Sequence, residues 1–523
     1  MREKFYITTS IAYVNAPPHI GYALEIVQAD VIARHNRLLG KEVYFLSGTD
    51  EHGAKVSRSA DDTGISIEKF VDENAKKFKN LLKIINASND DFIRTSDQKR
   101  HWLSAQALWL KLAEAGDIYK SYYKGFYCVG CESFITEKDL VGGKCKNHGK
   151  EPEIIEEENY FFRLSKYTKE IESRIKNNEL RIIPETRKNE ILSLLEAGLE
   201  DVSFSRPSKD ISWGVPVPGD PTQTIYVWCD ALTNYISALG YAASDDSNFK
   251  KFWPADIHII GKDILRFHSA IWPGMLLSAG LLLPKAIFVH GFINTGGQKM
   301  SKTLGNVIDP IDLAERYGVD ALRYYLIRDI STFEDGDFTE ERFKESYNAN
   351  LANGIGNLAQ RILKMAKQYF NGAVLKPDDI LLASVPLRKH LGILDKDHKP
   401  GKDLEYFSVP YAVNEFVQPE YDSLMRNFEL NKACGVIWGL ISDLDKYVDD
   451  YKPFKLIQTD KQKTEAVLWS LLFGLANVGW MLLPFLPETA ARILKSVGAG
   501  DAKEECKNFK IFLFSSPLFP RKD

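Results

Sequence analysis

Residues 5–22 read FYITTSIAYVNAPPHIGY, and this stretch decides the fold that the sequence predicts. Its first five residues form a β-branched and aromatic run, which leads through a proline-containing loop into a helical pattern over about 21–39. A second strand pattern follows at 42–47, and a second helical pattern follows at 67–85. Because strand, crossover helix and strand follow one another, we predict an α/β domain with a Rossmann-type parallel sheet.

The texture of the chain changes twice after this start. From about Gly116 the helical period fades, and Gly, Tyr and Cys become frequent. Strand and helix alternation then returns, and from about Glu340 the pattern is almost wholly helical. The stretches that carry these two patterns are 226–230, 257–260 and 286–290 for the alternation, and 350–369, 425–451 and 463–483 for the helices. A segment rich in Pro, Asp and Lys, from Ala373 to Pro419, predicts an insertion or a long loop.

Composition and charge exclude several classes of protein. The 523 residues carry a net charge of −4, which argues against a wholly polybasic nucleic-acid binder but leaves room for a local basic surface. Six cysteines are too few for a disulfide scaffold. The chain shows no signal-peptide pattern, and polar residues, glycines and a proline interrupt its one apolar run, 466–486. We expect a soluble cytoplasmic enzyme of several domains, with no membrane partner and with that run as a core helix.

Four potential metal ligands follow a regular spacing. Cys128 and Cys131 are separated by two residues, and so are Cys145 and His148. Three thiolates and one imidazole complete the tetrahedral shell that zinc prefers. Because the shell is closed, we predict one structural zinc ion in the region that begins at about Gly116; four unrelated residues are the alternative.

Two short motifs suit the handling of ATP phosphates. His19 and Gly21 lie where the first predicted helix begins, and a helix N-terminus with a close backbone approach binds phosphate. Lys299 and Lys302 follow two glycines in the stretch 296–303, which predicts a mobile loop that brings ammonium groups to phosphates. Taken singly, the first motif is also explained by an incidental histidine in a proline-rich loop, and the second by a solvated turn.

Together, and in this order on a parallel-sheet pattern, the two motifs resemble the paired signatures of class I aminoacyl-tRNA synthetases. Further stretches are similar to the methionyl branch of that class. These stretches are TSIAYVN at 9–15, SGTDEHG at 47–53, YVWCDALTNY at 226–235, and GKDI at 261–264 followed by His268 and Trp272. The resemblance extends from about Phe5 to Leu486.

The resemblance implies ATP-dependent activation of L-methionine to methionyl-adenylate, with Mg²⁺, and transfer of the methionyl group to tRNA(Met). It assigns catalysis to His19, Lys299 and Lys302, and ATP binding to these three residues with Gly21, Tyr22 and Asp263. The implied methionine site comprises Ile11, Tyr13, Asp50, Trp228, Ala231, Tyr235, Ile264, His268 and Trp272. Aromatic edges suit a thioether, and the carboxylate of Asp50 suits an ammonium group.

The resemblance also implies anticodon contacts in the helical half. The residues are Asn353, Asn357, Arg361 and Phe454. The first three are spaced by four residues and so share one face of a regular helix, which without the resemblance would be a solvated polar face. A core position is the alternative for Phe454.

Pattern and resemblance divide the chain into five segments, of which two are halves of one domain. They are the first half of the Rossmann domain (1–115), a connective insertion with the zinc knuckle (116–220), the second half of the Rossmann domain (221–295), the mobile lysine loop with a stem-contact connector (296–345) and a helical anticodon-binding domain (346–523). Tyr22 stands where the family pattern has a second histidine, which puts the efficiency of activation in doubt, and Phe454 stands where tryptophan is usual. Without an appended tRNA-binding barrel, a monomer is expected.

Two alternatives stay open from the sequence. One is a class I synthetase for leucine, isoleucine or valine, although the space between Leu110 and Tyr226 is small for an editing insertion. The other is a non-acylating paralogue that only binds RNA or a protein. ATP–pyrophosphate exchange measured with each amino acid distinguishes the methionyl enzyme from both alternatives.

Overall fold

The chain forms two compact units, Met1–Phe292 and Ile293–Asp523. A computed structural model describes residues 2–130, 133–135, 137, 140–146, 149–300, 305–388, 406–499 and 508–522. The finer division into five segments stays a prediction.

A parallel sheet of seven strands forms the centre of the first unit. The strand Lys4–Thr9 pairs with Glu42–Asp50 on one side and with Ile257–Gly261 on the other. The strands in spatial order are Arg181–Ile183, Ala286–His290, Ile257–Gly261, Lys4–Thr9 and Glu42–Asp50, the last of which pairs with both Ala12–Tyr13 and Asp91–Arg94. Residues 5–9 are all buried, as expected for a strand that is covered on both faces. The predicted parallel sheet is confirmed.

The described part of the first unit contains ten α-helices. They are Ile20–Leu38, Ala54–Thr63, Ile67–Ile84, Leu103–Glu114, Thr168–Lys176, Glu185–Glu196, Val227–Leu232, Asn234–Ser237, Ser247–Phe252 and Trp272–Ser278, with π-helical turns at Gln98–Trp102 and Phe267–Ile271 and 3₁₀ turns at Leu164–Tyr167 and Lys262–Ile264. The two helices predicted nearest the N-terminus lie within one residue of their predicted bounds. Ser66 explains the start of the second, because its hydroxyl caps the first turn by accepting from the Lys69 N–H at 3.4 Å.

Antiparallel strands dominate the middle of the first unit. The long strands Ile118–Cys128 and Glu153–Phe162 pair along ten residues each, flanked by Val202–Ser203 and Ser133–Ile135. Smaller sheets join Ser205–Pro207, Asp220–Ile225 and Pro216–Val217, and Leu140–Val141 with Lys144–Cys145. The strand Arg181–Ile183 lies inside the predicted insertion, yet it pairs with Ala286–His290 in the parallel sheet. Three residues are too short a run for a sequence pattern to show.

The second unit is mainly helical, as predicted. Its α-helices are Pro310–Tyr317, Val319–Tyr324, Glu340–Ser346, Asn357–Phe370, Asp379–Ala383, Val409–Ala412, Gln418–Arg426, Leu430–Tyr451, Pro453–Leu456, Lys461–Leu482 and Pro487–Val497, with π-helical segments at Tyr325–Asp329, Tyr347–Gly356 and Val413–Val417. Short strands pair Ile293–Thr295 with Gln298–Lys299 and Gly336–Phe338, Ala373–Leu375 with Asn508–Lys510, and Leu387–Arg388 with Tyr406–Phe407. The predicted insertion at 373–419 therefore contains strands and helices in its described part; residues 389–405 lie outside that part.

Two predicted helices differ from the structure. A single helix over 425–451 is wrong, because the chain breaks between Arg426 and Leu430, where Phe428 has a φ of 60°. The helix over 350–369 is also irregular: Gly354 leaves helical geometry, with φ −82° and ψ −108°. No proline lies at either break, so the sequence gives no strong signal that would predict it.

The helix Lys461–Leu482 is long and apolar enough to cross a membrane. Most of its residues are buried against other helices of the same unit, among them Leu430–Tyr451 and Pro487–Val497. A buried core helix explains its composition, as the interrupted run in the sequence predicts.

A close approach between two of these helices gives a prediction about stability. A Cβ on Gly474 would lie 2.6 Å from Cδ2 of the buried Leu444. Gly474→Ala should therefore lower the free energy of unfolding of the helical unit by about 1–2 kcal/mol, because overpacking costs about 1–3 kcal/mol and alanine regains at most about 1 kcal/mol in a helix. Urea unfolding of the full chain, followed by circular dichroism, measures this.

Gly435 provides the matched control. It lies in the helix Leu430–Tyr451, and a Cβ there would meet no atom within 4 Å. Gly435→Ala should raise the free energy of unfolding by about 0.5–1 kcal/mol. Equal gains in both variants would show that the helices do not approach closely at Gly474.

Candidate active site

The carboxyl ends of the parallel strands meet at one edge of the central sheet. Lys4–Thr9, Glu42–Asp50 and Ile257–Gly261 all run in the same direction. Sheets of this kind bind ligands in the crevice outside that edge. Several of the predicted site residues of the first unit, among them Ile11, Asp50 and Asp263, lie at or just after these strand ends.

His19 caps the helix Ile20–Leu38. Its Nδ1 accepts a hydrogen bond from the Gly21 N–H at 3.1 Å, so that nitrogen carries no proton and the proton of the neutral ring lies on Nε2. The side chain reaches solvent, yet partial burial lowers the pKa of its imidazole. His19 therefore presents a neutral N–H donor at a helix N-terminus, where anions bind.

Tyr22 lies one turn further into this helix and is buried. Its hydroxyl lies 3.2 Å from the Ser47 hydroxyl, and its ring packs edge-on against Phe78 with centroids 5.0 Å apart. Burial raises the pKa of Tyr22, so the phenol stays neutral. The group that replaces the second histidine of the family pattern thus forms contacts inside the protein.

A buried ion pair lies beside the first strand end. Glu25 accepts from the N–H and the hydroxyl of Ser10, both at 2.7 Å, and lies 2.9 Å from His290 Nε2. His290 Nδ1 lies 2.7 Å from the Gly291 carbonyl, so both ring nitrogens act as donors. Burial by itself lowers the pKa of His290, but the bond to Glu25 and its charge outweigh burial and raise it. A carbonyl at one ring nitrogen and a carboxyl oxygen at the other fit the doubly protonated form of His290.

Asp263 lies in the 3₁₀ turn Lys262–Ile264, directly after the strand Ile257–Gly261, and its side chain is exposed. A Cβ on Gly261 would come within 2.9 Å of Asp263 Oδ1. Glycine at the strand end thus lets the carboxylate fold back over the edge of the sheet. An exposed carboxylate at this edge can accept hydroxyl hydrogen bonds from a ribose.

The predicted methionine residues form two groups of aromatic contacts. Tyr13 meets Trp228 edge-on, with ring centroids 6.3 Å apart. Tyr235 lies 5.9 Å from the ring of Trp272 and 2.7 Å, oxygen to nitrogen, from His268 Nε2. All these side chains belong to or contact one apolar core, which Ile11 and Ile264 also contact.

The imidazole of His268 is neutral. Its Nδ1 lies 3.0 Å from the Ile264 carbonyl, which can only accept, so the proton is on Nδ1 and Nε2 accepts from Tyr235. Burial lowers the pKa of His268 to about 4. A neutral, aromatic and polarizable lining suits a thioether better than a charged side chain.

The side chain of Asp50 is buried at the end of the strand Glu42–Asp50, where the residue is 2% exposed. The next residue is held tightly: Glu51 accepts from Arg94 Nε and Nη2 at 2.7 and 2.9 Å and from the Thr49 hydroxyl at 2.7 Å. Its backbone carbonyl accepts from Trp213 Nε1 at 2.6 Å. The side chain and the carbonyl of Glu51 thus hold the main chain on one side of Asp50.

Sequence reasoning missed several residues of this region. Phe267 stacks on Trp228 with centroids 3.7 Å apart, and Asp230 contacts His52 and His101. Phe267 directly precedes the predicted site residue His268, and this adjacency is the one sequence signal that could have indicated it. No local pattern connects His101 with Asp230.

Lys299 lies in the second unit, in a tight hairpin. The strands Ile293–Thr295 and Gln298–Lys299 are joined by Gly296 and Gly297, whose φ values of 58° and 76° are typical of a type I′ turn. The described part of the predicted mobile loop is therefore an ordered hairpin with an exposed lysine. Lys302 lies outside the described residues.

Two of the four predicted zinc ligands are described. Cys128 and Cys145 are 3% and 2% exposed and share one small cluster with Ile135. Cys131 and His148 lie outside the described residues. Within the described ranges, no three His, Cys, Asp or Glu side chains are placed to hold a metal ion.

The predicted anticodon residues do not lie on one regular helix. Asn353 and Asn357 are exposed but are separated by the irregular Gly354. Arg361 pairs with Asp445 at 2.8 Å and Asp449 at 3.3 Å. Phe454 is 44% exposed, which argues against the alternative of a core residue.

Comparison with known proteins agrees with the motifs. A family model described as "tRNA synthetases class I (M)" matches residues 5–148 and 135–363. The methionine–tRNA ligase of Thermotoga maritima is 42% identical over 99% of this chain and 80% of its own length. The chain belongs to the methionyl-tRNA synthetase family of class I. The methionine–tRNA ligase of Brucella melitensis is also 42% identical, over 99% of this chain and 95% of its own length.

Solved structures of the methionyl-tRNA synthetase family are similar throughout. The Mycobacterium tuberculosis methionyl-tRNA synthetase in complex with methionyl-adenylate superposes with a TM-score of 0.89 at 35% identity. The match covers 99% of this chain and all of that one. The resemblance that the sequence motifs indicated is therefore confirmed.

The two histidines at the sheet edge should differ in charge. At about pH 6.5, the ordinary pKa of histidine, His19 should be neutral with its proton on Nε2, and His290 should carry protons on both nitrogens. Long-range ¹H–¹⁵N spectra of the full chain labelled in histidine distinguish these forms. His19→Asn and His290→Asn assign the two signals. An Nδ1–H tautomer for His19, or a neutral His290, would contradict the hydrogen bonds described above.

Proposed function

We propose that this chain activates L-methionine with ATP and transfers the methionyl group to tRNA(Met). The observation that carries the proposal is the uncharged aromatic lining next to Asp50, at the same sheet edge as the His19 helix N-terminus. An ammonium site, a thioether site and a phosphate site at one edge fit an amino acid and ATP together.

In the first step, the methionine carboxylate attacks the α-phosphate of ATP in line, and pyrophosphate leaves. Asp50 binds the ammonium group, and the rings of Tyr13, Trp228, Tyr235 and Trp272 enclose the thioether. No side chain acts as a nucleophile, since positioning and charge stabilisation supply the rate. In the second step, a hydroxyl of the terminal adenosine of tRNA takes the methionyl group, and AMP leaves.

The ATP site uses donors from both motifs. His19 donates its Nε2–H to a phosphate oxygen, Gly21 allows the close approach of the backbone, and Asp263 accepts from the ribose. Lys299 and Lys302 stabilise the charge that develops on pyrophosphate. Tyr22 supports this helix through Ser47. Mg²⁺ bound with ATP neutralises part of the phosphate charge.

ATP–pyrophosphate exchange tests this function. Exchange should occur with methionine and not with leucine, isoleucine or valine. Lys302→Ala should lower the exchange rate by about 10²–10³-fold with little change in methionine affinity, because it removes a donor used as charge develops. Lys376→Ala, an exposed lysine elsewhere in the same unit, is the control. No exchange with any amino acid would favour a non-acylating paralogue.

We also propose a structural zinc ion held by Cys128, Cys131, Cys145 and His148. The two buried thiols, Cys128 and Cys145, support it, because they lie in one small cluster although 17 positions separate them in the sequence. A shared metal ion explains why the two cysteine-containing pairs are brought together. The closed shell leaves no position for a substrate.

Elemental analysis of the purified chain should find one equivalent of zinc. Cys131→Ser should release the metal and destabilise the inserted strands before it affects exchange, since the ion stabilises the fold. Cys434→Ser replaces a buried thiol outside the cluster and should keep the zinc. A full chain that folds and exchanges normally without metal would refute the site.

For tRNA recognition, we propose that Phe454 stacks on an anticodon base and that Asn353, Asn357 and Arg361 bind nearby nucleotides. Support comes from the exposure of Phe454 on the short helix Pro453–Leu456 and of both asparagines. Arg361 must exchange its pairs with Asp445 and Asp449 for RNA.

Phe454→Ala should lower aminoacylation kcat/KM for tRNA by about 10–150-fold, because base stacking on an aromatic ring is worth about 1–3 kcal/mol. ATP–pyrophosphate exchange and Tm should stay near those of the wild type. Phe512→Ala removes a phenylalanine that is 49% exposed in the same unit and should leave tRNA kinetics unchanged. An equal loss in exchange and charging would mean that Phe454 stabilises the fold instead.

The proposal extends to a cytoplasmic, monomeric enzyme. Cys229 and Cys434 are buried thiols outside any disulfide, which fits a reducing compartment. Sedimentation of the purified chain measures its oligomeric state.

A further inference from the structure

A buried carboxylate with two imidazole partners lies beside the methionine residues but is not one of them. Asp230 belongs to the helix Val227–Leu232, between Trp228 and Ala231. Its Oδ2 lies 2.6 Å from His52 Nδ1, and its Oδ1 lies 2.8 Å from His101 Nε2. All three side chains are almost completely buried.

This group stays charged. Burial by itself raises the pKa of Asp230, but the electrostatic and hydrogen-bond interactions with His52 and His101 outweigh burial and lower the pKa to about 2. A buried anion is tolerated only when donors are fixed around it. Asp230 therefore holds the two rings in defined positions.

His52 continues the connection toward the substrate. Its ring lies between the edges of Trp102 and Trp213, with centroids 6.0 and 5.6 Å away. Its backbone N–H points to Asp50 Oδ1 at 3.4 Å. The position of the His52 ring thus affects the main chain that orients Asp50. The second nitrogen of His101 does not contact the segment of Asp50, because it lies 2.8 Å from the Ser237 hydroxyl.

We propose that Asp230, acting through His52, is a positioning residue that fixes the spacing between the ammonium-binding carboxylate of Asp50 and the thioether pocket at Trp228 and Ala231. One hydrogen bond joins the helix that carries the pocket to the strand end that carries the carboxylate. The inference rests on the proposed function, since it takes methionine as the ligand of both.

The His52–Asp230 bond sets the distance between Asp50 and the thioether pocket. The distance between the ammonium group and the thioether of the bound amino acid must match it. Loosening it moves Asp50 relative to the pocket without removing any substrate contact. Methionine binding should then weaken, while ATP binding at the His19 helix stays the same. A misplacement of about 1 Å can cost about 10²-fold in an active site.

The test compares two variants at His52 in the full chain. His52→Leu removes the donor to Asp230, and His52→Asn keeps an N–H at nearly the same place, because the amide nitrogen and Nδ1 are both bonded to Cγ. His52→Leu should raise the KM for methionine in ATP–pyrophosphate exchange by about 10- to 100-fold, with the KM for ATP unchanged. His52→Asn should restore most of the loss.

His101 provides the control for stability. His101→Leu leaves Asp230 with one donor, as His52→Leu does, and should lower Tm to a similar extent. Because the side chain of His101 bonds to Asp230 and Ser237 and not to the segment that carries Asp50, the KM for methionine should stay within about threefold of the wild type, a difference worth less than 1 kcal/mol.

Equal increases in the KM for methionine in His52→Leu and His101→Leu would overturn the proposal and make the network merely structural. The same conclusion would follow if His52→Leu lowered kcat alone, or if His52→Asn gave no rescue. If either leucine variant fails to fold, direct titration of His52→Gln and His101→Gln with L-methionine decides, because a glutamine amide lies one bond beyond the position of Nδ1 but can replace Nε2. His52→Gln should bind methionine more weakly than His101→Gln, and equal binding by the two variants would overturn the proposal. Wild-type chain that shows no methionine-dependent exchange would instead refute the proposed function.

Discussion

Parallel pairing of the strand Lys4–Thr9 with its two neighbours is the constraint on which the active site depends. The pairing places Thr8 beside Leu46 on one side and beside His258 on the other, so segments about 40 and 250 positions away end at one edge. Two of the chain segments at this edge carry a polar group suited to a substrate: Asp50 is the last residue of Glu42–Asp50, and Asp263 follows Ile257–Gly261. The functional groups lie together because the carboxyl ends of parallel strands are at the same edge of a sheet.

Charge at this edge is held by surrounding donors. Glu25 is surrounded by Ser10 and His290, Glu51 by Arg94 and Thr49, and Asp230 by two histidines. In a poorly solvated region each of these groups would be costly without its partners, so the partners fix the side chains as well as the charges. The result is a site whose dipoles are oriented before substrate arrives, which is what charge stabilisation requires.

The helical unit follows a different principle. Its core is built from long apolar helices, and Lys461–Leu482 is apolar enough to resemble a membrane span because other helices cover it. An aromatic or charged side chain that stays on the surface of this apolar unit therefore indicates a binding site. Phe454 stays in solvent on a helix of four residues, while Arg361 is neutralised by two aspartates on a neighbouring helix. An exposed aromatic ring and an arginine in a replaceable ion pair are what a nucleic acid can use.

The sequence by itself determined the α/β class, the helical second half, the family and the places of the short motifs. Helix and strand periods act over a few residues, and the motifs around His19, Asp50 and Trp228 are contiguous, so both are readable without coordinates. The tertiary structure alone decided that Arg181–Ile183 joins the parallel sheet, that Tyr22 contacts Ser47, and that Asp230 joins His52 to His101. These contacts join residues 25 to more than 100 positions apart, and their energies depend on burial and on partners that no local pattern specifies. Glu25 and His290, 265 positions apart, become an ion pair only because the sheet brings their chain segments together.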